Sequence, residues 1–208
     1  MRLLPAVLLV LTAPWSVSGQ TYTIRTFAGG ALPINIPGPS ASFESPLAVA
    51  VDPAGKYLFA LGQIGAPAQP AVQSFAINAD GSLNPTGGPQ PAGTNVPTAG
   101  SSAAVDASGR FLYVVTDLGL YVRGYAIDSA TGAISELPSS PFSVAQLSNP
   151  YSVWNAVSAD AQAESIYLSN NNGPITYNVD QNTGALTIAP KAPAPSSGNN
   201  SYFVAVVP

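Results

Sequence analysis

The sequence contains neither cysteine nor histidine, and these two absences exclude several kinds of chemistry. Without cysteine, the chain forms no disulfide and offers no thiolate for a metal or redox site. Without histidine, it lacks the commonest metal ligand and the commonest general base. Ser-His-Asp hydrolysis and histidine-ligated zinc chemistry therefore cannot be built from this chain.

Charged residues are also scarce, since they make up 8% of the 208 residues and give a formal net charge of −4. Soluble domains usually carry about 25% charged residues, so we expect a largely neutral surface. The basic residues are scattered along the chain: Arg2, Arg25, Lys56, Arg110, Arg123 and Lys191. Because nucleic acids and anionic membranes reward clustered Lys and Arg, we expect no nucleic-acid partner.

The first 19 residues are typical of a secretory signal peptide. Arg2 supplies the positive end, and Leu3–Leu11 is an apolar run of suitable length. A membrane anchor would need about 20 apolar residues, and this segment is shorter and is interrupted by Pro5 and Pro14. We expect a secreted or periplasmic protein with no membrane span after cleavage.

The strongest internal signal is a repeat. Asp52-Pro-Ala-Gly-Lys-Tyr-Leu-Phe59 recurs as Asp106-Ala-Ser-Gly-Arg-Phe-Leu-Tyr113, and more weakly as Asp160-Ala-Gln-Ala-Glu-Ser-Ile-Tyr167. A second motif follows each copy, in segments 74–83, 124–134 and 176–186. Two motifs that recur together indicate a repeat architecture such as a solenoid or propeller.

Each repeat resolves into four short predicted strands separated by turns. In the first copy, Asp52-Pro-Ala-Gly55 and Asn78-Ala-Asp-Gly81 are turn sequences, and the segments around them are rich in aliphatic and aromatic residues. Four antiparallel strands per unit are typical of a β-propeller blade. We therefore predict an all-β fold with about three four-stranded blades and the start of a fourth.

The predicted organisation is a signal peptide, a lead-in segment and a run of blades. The lead-in covers residues 20–45 and contains a possible ring-closing strand, Tyr22–Phe27. The blades cover residues 46–208, with approximate bounds 46–100, 101–152, 153–198 and 199–208. Closed propellers typically have 4–8 blades, so we expect an N-terminal fragment, a truncated gene product or an incomplete reading frame.

The first strands of the repeats share small residues, namely Ala48, Ala50, Ala103, Ala104, Ala156 and Ala159. Small side chains suit the crowded strands near a propeller axis. An Ala-rich composition would explain the same observation, so both interpretations stay open.

The repeat motifs resemble those of the lactonase-like seven-bladed propellers, which include the propeller-type 6-phosphogluconolactonases. Tyr167-Leu-Ser-Asn170 is similar to the Tyr-Val-Thr-Asn signature of a related group of surface propellers. The segment Tyr22–Val51 resembles the opening of secreted bacterial NHL-repeat propellers. These resemblances imply a fragment of a seven-bladed propeller and a bacterial source, but they assign no catalytic residue to this chain, and we predict no cofactor.

Most acidic residues occur at turn positions of the repeat. Asp side chains favour turns because they accept hydrogen bonds from nearby backbone N–H groups. We therefore interpret one set of residues as structural: Asp52, Gly55, Asp106, Gly109, Asp160, Gly81, Gly132 and Gly184, with Asp80, Asp128 and Asp180 beside them. A calcium ion is the alternative, but it needs six to eight oxygens, and no single turn offers that many. We predict no metal.

A different set of polar residues falls in loops that should share one face of the propeller. The candidate ligand-binding residues are Asp117, Arg123, Asn170, Asn171 and Asn172, together with Trp154 in the predicted first strand of blade 3. Other members of the same face are Gln63, Gln69, Asn95, Gln146 and Asn149. Their amides would suit a sugar or a peptide, and the indole of Trp154 could stack on a sugar. The alternatives are a solvated loop with an exposed Asp117–Arg123 pair and a Trp154 packed in the core.

Two functions remain open on these residues. The preferred interpretation is an exported, non-catalytic propeller scaffold whose loop faces bind a small molecule, a glycan or a protein. The alternative is a lactone hydrolase like the propeller-type 6-phosphogluconolactonases. The fold does not decide between them.

Overall fold

The computed structural model describes residues 46–65, 68–93, 102–116, 121–143, 156–160, 164–170 and 173–189. In these ranges the regular elements are all β-strands, which are arranged as three antiparallel sheets and joined by turns. The predicted signal peptide, lead-in, ring-closing strand and fourth unit lie outside them. Of the described residues, none belongs to a helix that could cross a membrane.

The first sheet, blade 1, contains β1 (Ala48–Val51), β2 (Tyr57–Ile64), β3 (Gln69–Ile77), β4 (Leu83–Pro85) and β5 (Gln90–Pro91). The first four strands pair in chain order. β5 then returns to pair with the other half of β3, with Ala71 opposite Pro91. The fourth strand predicted from the sequence is therefore split into two short segments along a nine-residue neighbour.

Blade 2 repeats this plan with β6 (Ser102–Val105), β7 (Phe111–Thr116), β8 (Tyr121–Ile127), β9 (Ile134–Glu136) and β10 (Phe142–Ser143). Here β9 and β10 both pair with β8. Blade 3 contains β11 (Ala156–Ala159), β12 (Ser165–Asn170), β13 (Gly173–Val179) and β14 (Leu186–Ile188), again paired in chain order. These sheets are the four-stranded blades of a β-propeller, with β1, β6 and β11 side by side.

The core lies between blades, because blade 2 packs against blade 1 with one face and against blade 3 with the other. One apolar cluster joins blade 1 to blade 2 through residues such as Phe59, Leu61 and Leu112. A second cluster joins blade 2 to blade 3 through residues such as Tyr113, Val115 and Leu168. Alternate residues of β7 therefore face opposite neighbours, as the two-residue period of a strand requires.

An aromatic ring and a glycine meet at both blade junctions. The Tyr57 ring of blade 1 covers Gly132 in the hairpin turn of blade 2, and Phe111 of blade 2 covers Gly184 in the corresponding turn of blade 3. The Tyr57 hydroxyl donates a hydrogen bond to the Ala130 carbonyl at 2.9 Å. The repeated motifs thus connect consecutive blades as well as shaping each one.

Candidate functional site

Of the six candidate ligand-binding residues, the structure describes two. Arg123 is the third residue of β8, and Asn170 is the last residue of β12, paired with Gly173. Asp117, Asn171, Asn172 and Trp154 lie outside the described residues. Gln63 and Gln69, from the same predicted rim, lie at the end of β2 and the start of β3, which pair with each other.

Arg123 forms an ion pair with Glu136. The Arg123 Nη1 atom lies 2.7 Å from Glu136 Oε1, and both side chains are partly buried. The same carboxylate oxygen accepts a hydrogen bond from Ser140 Oγ at 2.8 Å. Charge-assisted hydrogen bonds of this length are stronger than neutral ones, so this network fixes the guanidinium on the third strand of blade 2.

Glu136 is the functional candidate that the sequence did not single out. It lies on β9 opposite Tyr125, which places it diagonally across from Arg123 on the same face of the sheet. The signal that could have found it is the repeat itself, because the β8–β9 hairpin turn sets which residues face each other. Asp117, the partner considered from the sequence, lies outside the described residues.

The acidic residue of the first turn in each repeat bonds to nearby groups of its own blade. Asp52 Oδ1 accepts the backbone N–H groups of Lys56 at 2.6 Å and Tyr57 at 2.7 Å. Asp106 is buried and accepts the equivalent N–H groups of Arg110 and Phe111 at 2.9 and 2.8 Å. In blade 3 the Tyr167 hydroxyl donates to Asp160 Oδ2 at 3.3 Å.

The hairpin turns between the third and fourth strands use their acidic residues in the same way. Asp128 Oδ1 accepts the N–H groups of Ala130 and Thr131 at 2.8 and 3.0 Å, and Asp180 has the same pattern with the same distances. These backbone hydrogen bonds lower the pKa of both carboxyl groups. Bonds from Ser82 lower the pKa of Asp80 in blade 1.

The glycines of these turns all have positive φ angles. The values are 67° at Gly55, 80° at Gly81, 71° at Gly109, 74° at Gly132 and 70° at Gly184. This backbone region strongly favours glycine. The turn around Asp160 continues into residues 161–163, which lie outside the described ranges.

A cleft of about 230 Å³ lies at the other end of the sheets from the candidate loops, between blades 1 and 2. Its walls are formed by Asp52, Pro53, Ala54, Lys56, Tyr57, Ser108, Gly109, Ile127 and Ser129. The Lys56 ammonium lies 4.8 Å from the centre of the Tyr57 ring and 3.3 Å from the Ser129 carbonyl oxygen. Its Asp52 carboxylate already accepts two backbone hydrogen bonds, so Lys56 is the charged group that the cleft could offer a ligand.

Within the described ranges, acidic side chains do not gather into any group of three that could hold a metal ion. The arrangement is instead a set of turns, each with its own carboxylate. Chemically, the described part of the chain offers a neutral sheet edge, one guanidinium–carboxylate pair and one lysine-containing cleft.

No known protein family pattern matches the chain, and neither does any curated protein. Solved structures do match. The chain is similar to a candidate 6-phosphogluconolactonase from Bacteroides fragilis, with 20% identity over 71% of this chain and 38% of that one, and a TM-score of 0.50. It is also similar to the periplasmic gluconolactonase of Pseudomonas aeruginosa, with 15% identity over 74% of this chain and 46% of that one, and a TM-score of 0.55.

A further match is a candidate 6-phosphogluconolactonase from Bacteroides uniformis, with 17% identity, a TM-score of 0.53, and coverage of 69% of this chain and 39% of that one. The chain therefore spans less than half the length of these three proteins. At such identities the likeness shows the fold. The chain has the blades of a β-propeller.

Proposed function

We propose that this chain belongs to an exported β-propeller that binds a neutral polar ligand or a protein partner through its loop faces, and that it acts as a scaffold. The observation that carries the proposal is the use of the turn carboxylates. Asp52, Asp106, Asp128 and Asp180 each accept at least two backbone N–H groups of their own turn. Carboxylates that bond to the backbone of their own turn in this way have a structural role.

Two further observations support the binding role and the export. Gln63 lies near the end of β2, and Gln69 lies at the start of β3. The equivalent position in blade 2 is the connection between β7 and β8, the strand that carries Arg123. Amide groups of this kind donate and accept hydrogen bonds without adding charge, as recognition of a sugar or a peptide backbone requires. Export is supported by the signal-like N-terminus and by the periplasmic location in the name of the Pseudomonas protein.

A binding experiment with two arginine variants tests this proposal. Isothermal titration of the exported protein against a panel of neutral oligosaccharides and peptides should find a ligand. Arg123→Ala should weaken its binding about tenfold, which corresponds to about 1.4 kcal/mol. Arg110→Ala is the matched control, because Arg110 lies beside the turn at the opposite end of β7 and donates to Gln181 of blade 3. Equal losses in both variants, or no binding to any compound of the panel, would contradict the proposal.

The second candidate function is hydrolysis of a sugar lactone, which is supported by the names of the structural neighbours. Ring opening releases a proton, so a pH-stat assay with a panel of aldonolactones measures it directly. The scaffold proposal expects no proton release above that of the buffer. Turnover that Arg123→Ala abolishes would favour the hydrolase instead.

The finer family placement is part of the same proposal. We infer that the chain is related to the Tyr-Val-Thr-Asn propellers through Tyr167-Leu-Ser-Asn170, and that its opening segment Tyr22–Val51 is of the NHL type. Both inferences are supported by the sequence motifs.

A further inference from the structure

The cleft between blades 1 and 2 contains a lysine whose ammonium group has unused hydrogen-bond donors. Lys56 Nζ donates to the Ser129 carbonyl oxygen at 3.3 Å, which is long for an N–H···O bond. Among the described residues, none of the carboxylates forms an ion pair with it. An ammonium group has three N–H donors, so Lys56 can donate further hydrogen bonds to a ligand in the cleft.

The position of this ammonium group is set by the Tyr57 ring. Lys56 Nζ lies 4.8 Å from the centre of the ring, within the range at which a cation is attracted to an aromatic face. The ring itself is buried, it packs on Gly132, and its hydroxyl donates to the Ala130 carbonyl at 2.9 Å. A charged group that is already held in place loses less conformational freedom when it binds a ligand.

The equivalent cation at the next blade junction has its own acceptors. Arg110 of blade 2 is equivalent to Lys56, and it donates to Ser108 Oγ at 3.1 Å and to Gln181 Oε1 at 3.0 Å. Gln181 is equivalent to Ser129, since each follows the aspartate of its hairpin turn. The long amide side chain of Gln181 thus reaches the cation of the preceding blade. Ser129 offers Lys56 only its backbone carbonyl.

The size and lining of the cleft restrict the ligand that it could hold. Its volume of about 230 Å³ is about that of seven or eight water molecules in the liquid, so the ligand must be small. Pro53, Ala54 and Ile127 give it apolar walls beside the ammonium group. The Asp52 carboxylate also lines the cleft and would repel a second negative charge on a ligand, so a single negative charge suits the cleft best.

We propose that this cleft is a binding site for a small aliphatic monocarboxylate. The carboxylate accepts charge-assisted hydrogen bonds from Lys56, and the hydrocarbon part packs against Pro53, Ala54 and Ile127. The site lies at the opposite end of the sheets from the candidate loops, so it is independent of ligand binding at the loop faces.

An NMR titration of the ¹⁵N-labelled full chain with sodium butanoate tests this proposal. Butanoate should shift the amide signals of Lys56, Gly109 and Ser129 in a saturable way. Butanamide is the matched neutral probe, because it has almost the same shape but no charge. It should not produce these shifts, since it cannot form the charge-assisted hydrogen bonds with Lys56.

Three variants assign the binding to the cleft. Lys56→Gln should weaken butanoate binding about tenfold, because a hydrogen bond to a charged group is lost. Ser129→Gln installs the residue found at the next junction and should weaken binding as well, because the amide then competes for the ammonium group. Arg110→Gln is the matched control at the equivalent position of blade 2, and it should leave the affinity unchanged. Lys56 and Ser129 are exposed, so these substitutions should not unfold the chain.

Several results would overturn the proposal. Equal shifts with butanoate and butanamide would show that the ammonium group does not select a carboxylate. An equal loss of affinity in Arg110→Gln and Lys56→Gln would show a general attraction of anions to surface cations. An absence of saturable shifts with butanoate, or unchanged binding in both Lys56→Gln and Ser129→Gln, would show that the cleft is not the site.

Discussion

Single carboxylates organise the hairpin turns of blades 2 and 3. Asp128 and Asp180 are separated by a full repeat, yet each accepts the N–H groups two and three residues ahead of it. These bonds stabilise the ionised form and so lower the pKa of each carboxyl. A carboxyl with a lowered pKa in the folded state stabilises the fold above its ordinary pKa, and this contribution is lost as the pH falls through the folded value.

The pH dependence of stability should therefore change in an Asp128→Asn, Asp180→Asn double variant. An Asn side chain keeps an acceptor oxygen but does not titrate. Between about pH 6 and about pH 2, a range that spans the ordinary Asp pKa, wild-type Tm should fall more steeply than that of the variant. Thermal unfolding at a series of pH values measures the two slopes. Parallel curves would show that these turns do not contribute to acid sensitivity.

At the scale of the element, the hairpin turn of one blade is a contact surface for the preceding blade. Gly132 has a φ of 74°, and a Cβ atom there would lie 2.3 Å from Cδ1 of the Tyr57 ring. Gly81 of blade 1 has a similar φ of 80°, but a Cβ atom there would meet nothing within 4 Å. Comparing Gly132 with Gly81 therefore separates the effect of the positive φ angle from the effect of packing against the neighbouring blade.

Gly132→Ala should destabilise the chain by about 2–4 kcal/mol, because backbone strain and overpacking against Tyr57 add together. The control Gly81→Ala should cost about 1 kcal/mol, from backbone strain alone. Urea unfolding of the two variants gives both values. Equal losses would mean that the Tyr57 ring moves aside without cost.

The sequence predicts these turns and the first three strands of each blade because their signals are local. Asp-Gly turns and alternating apolar residues need no knowledge of the rest of the molecule. Gln90–Pro91 and Phe142–Ser143 carry no such pattern, since each is a two-residue segment that becomes a strand only by lying along a longer one. Pro91 is tolerated because this segment lies at the sheet edge.

The contacts of the candidate site were less predictable, because they depend on strand pairing and not on the local sequence. Arg123 could be singled out as one of few charged residues, but its contact with Glu136 arises from the register of β8 and β9. The face of blade 3 turned away from blade 2 also depends on register, because its residues Ser165, Tyr167 and Ser169 alternate in the sequence with Ile166 and Leu168 of the apolar core. A search by composition or motif treats the residues of both faces of a strand together, so it does not detect that one face is polar and the other apolar.

At the scale of the whole molecule, blade 2 connects the two described cores. Its β7 strand sends Leu112 and Val114 toward blade 1, and Phe111, Tyr113 and Val115 toward blade 3. A residue of β7 that packs in one junction is therefore bonded directly to residues that pack in the other junction. Close-packed interiors transmit such changes, so we expect the three blades to unfold as one cooperative unit.

Native-state hydrogen exchange on Leu112→Ala tests this cooperativity. Leu112 is fully buried between blades 1 and 2, so its truncation should cost about 2–5 kcal/mol. If the blades are coupled, amides of β2, β7 and β12 should lose protection by the same amount, although β12 does not touch the substituted core. Val49→Ala is the control, because Val49 is 54% exposed on the face of blade 1 away from blade 2 and should change stability by about 0.5 kcal/mol or less. If β12 keeps its protection while β2 and β7 lose theirs, each junction is an independent unit.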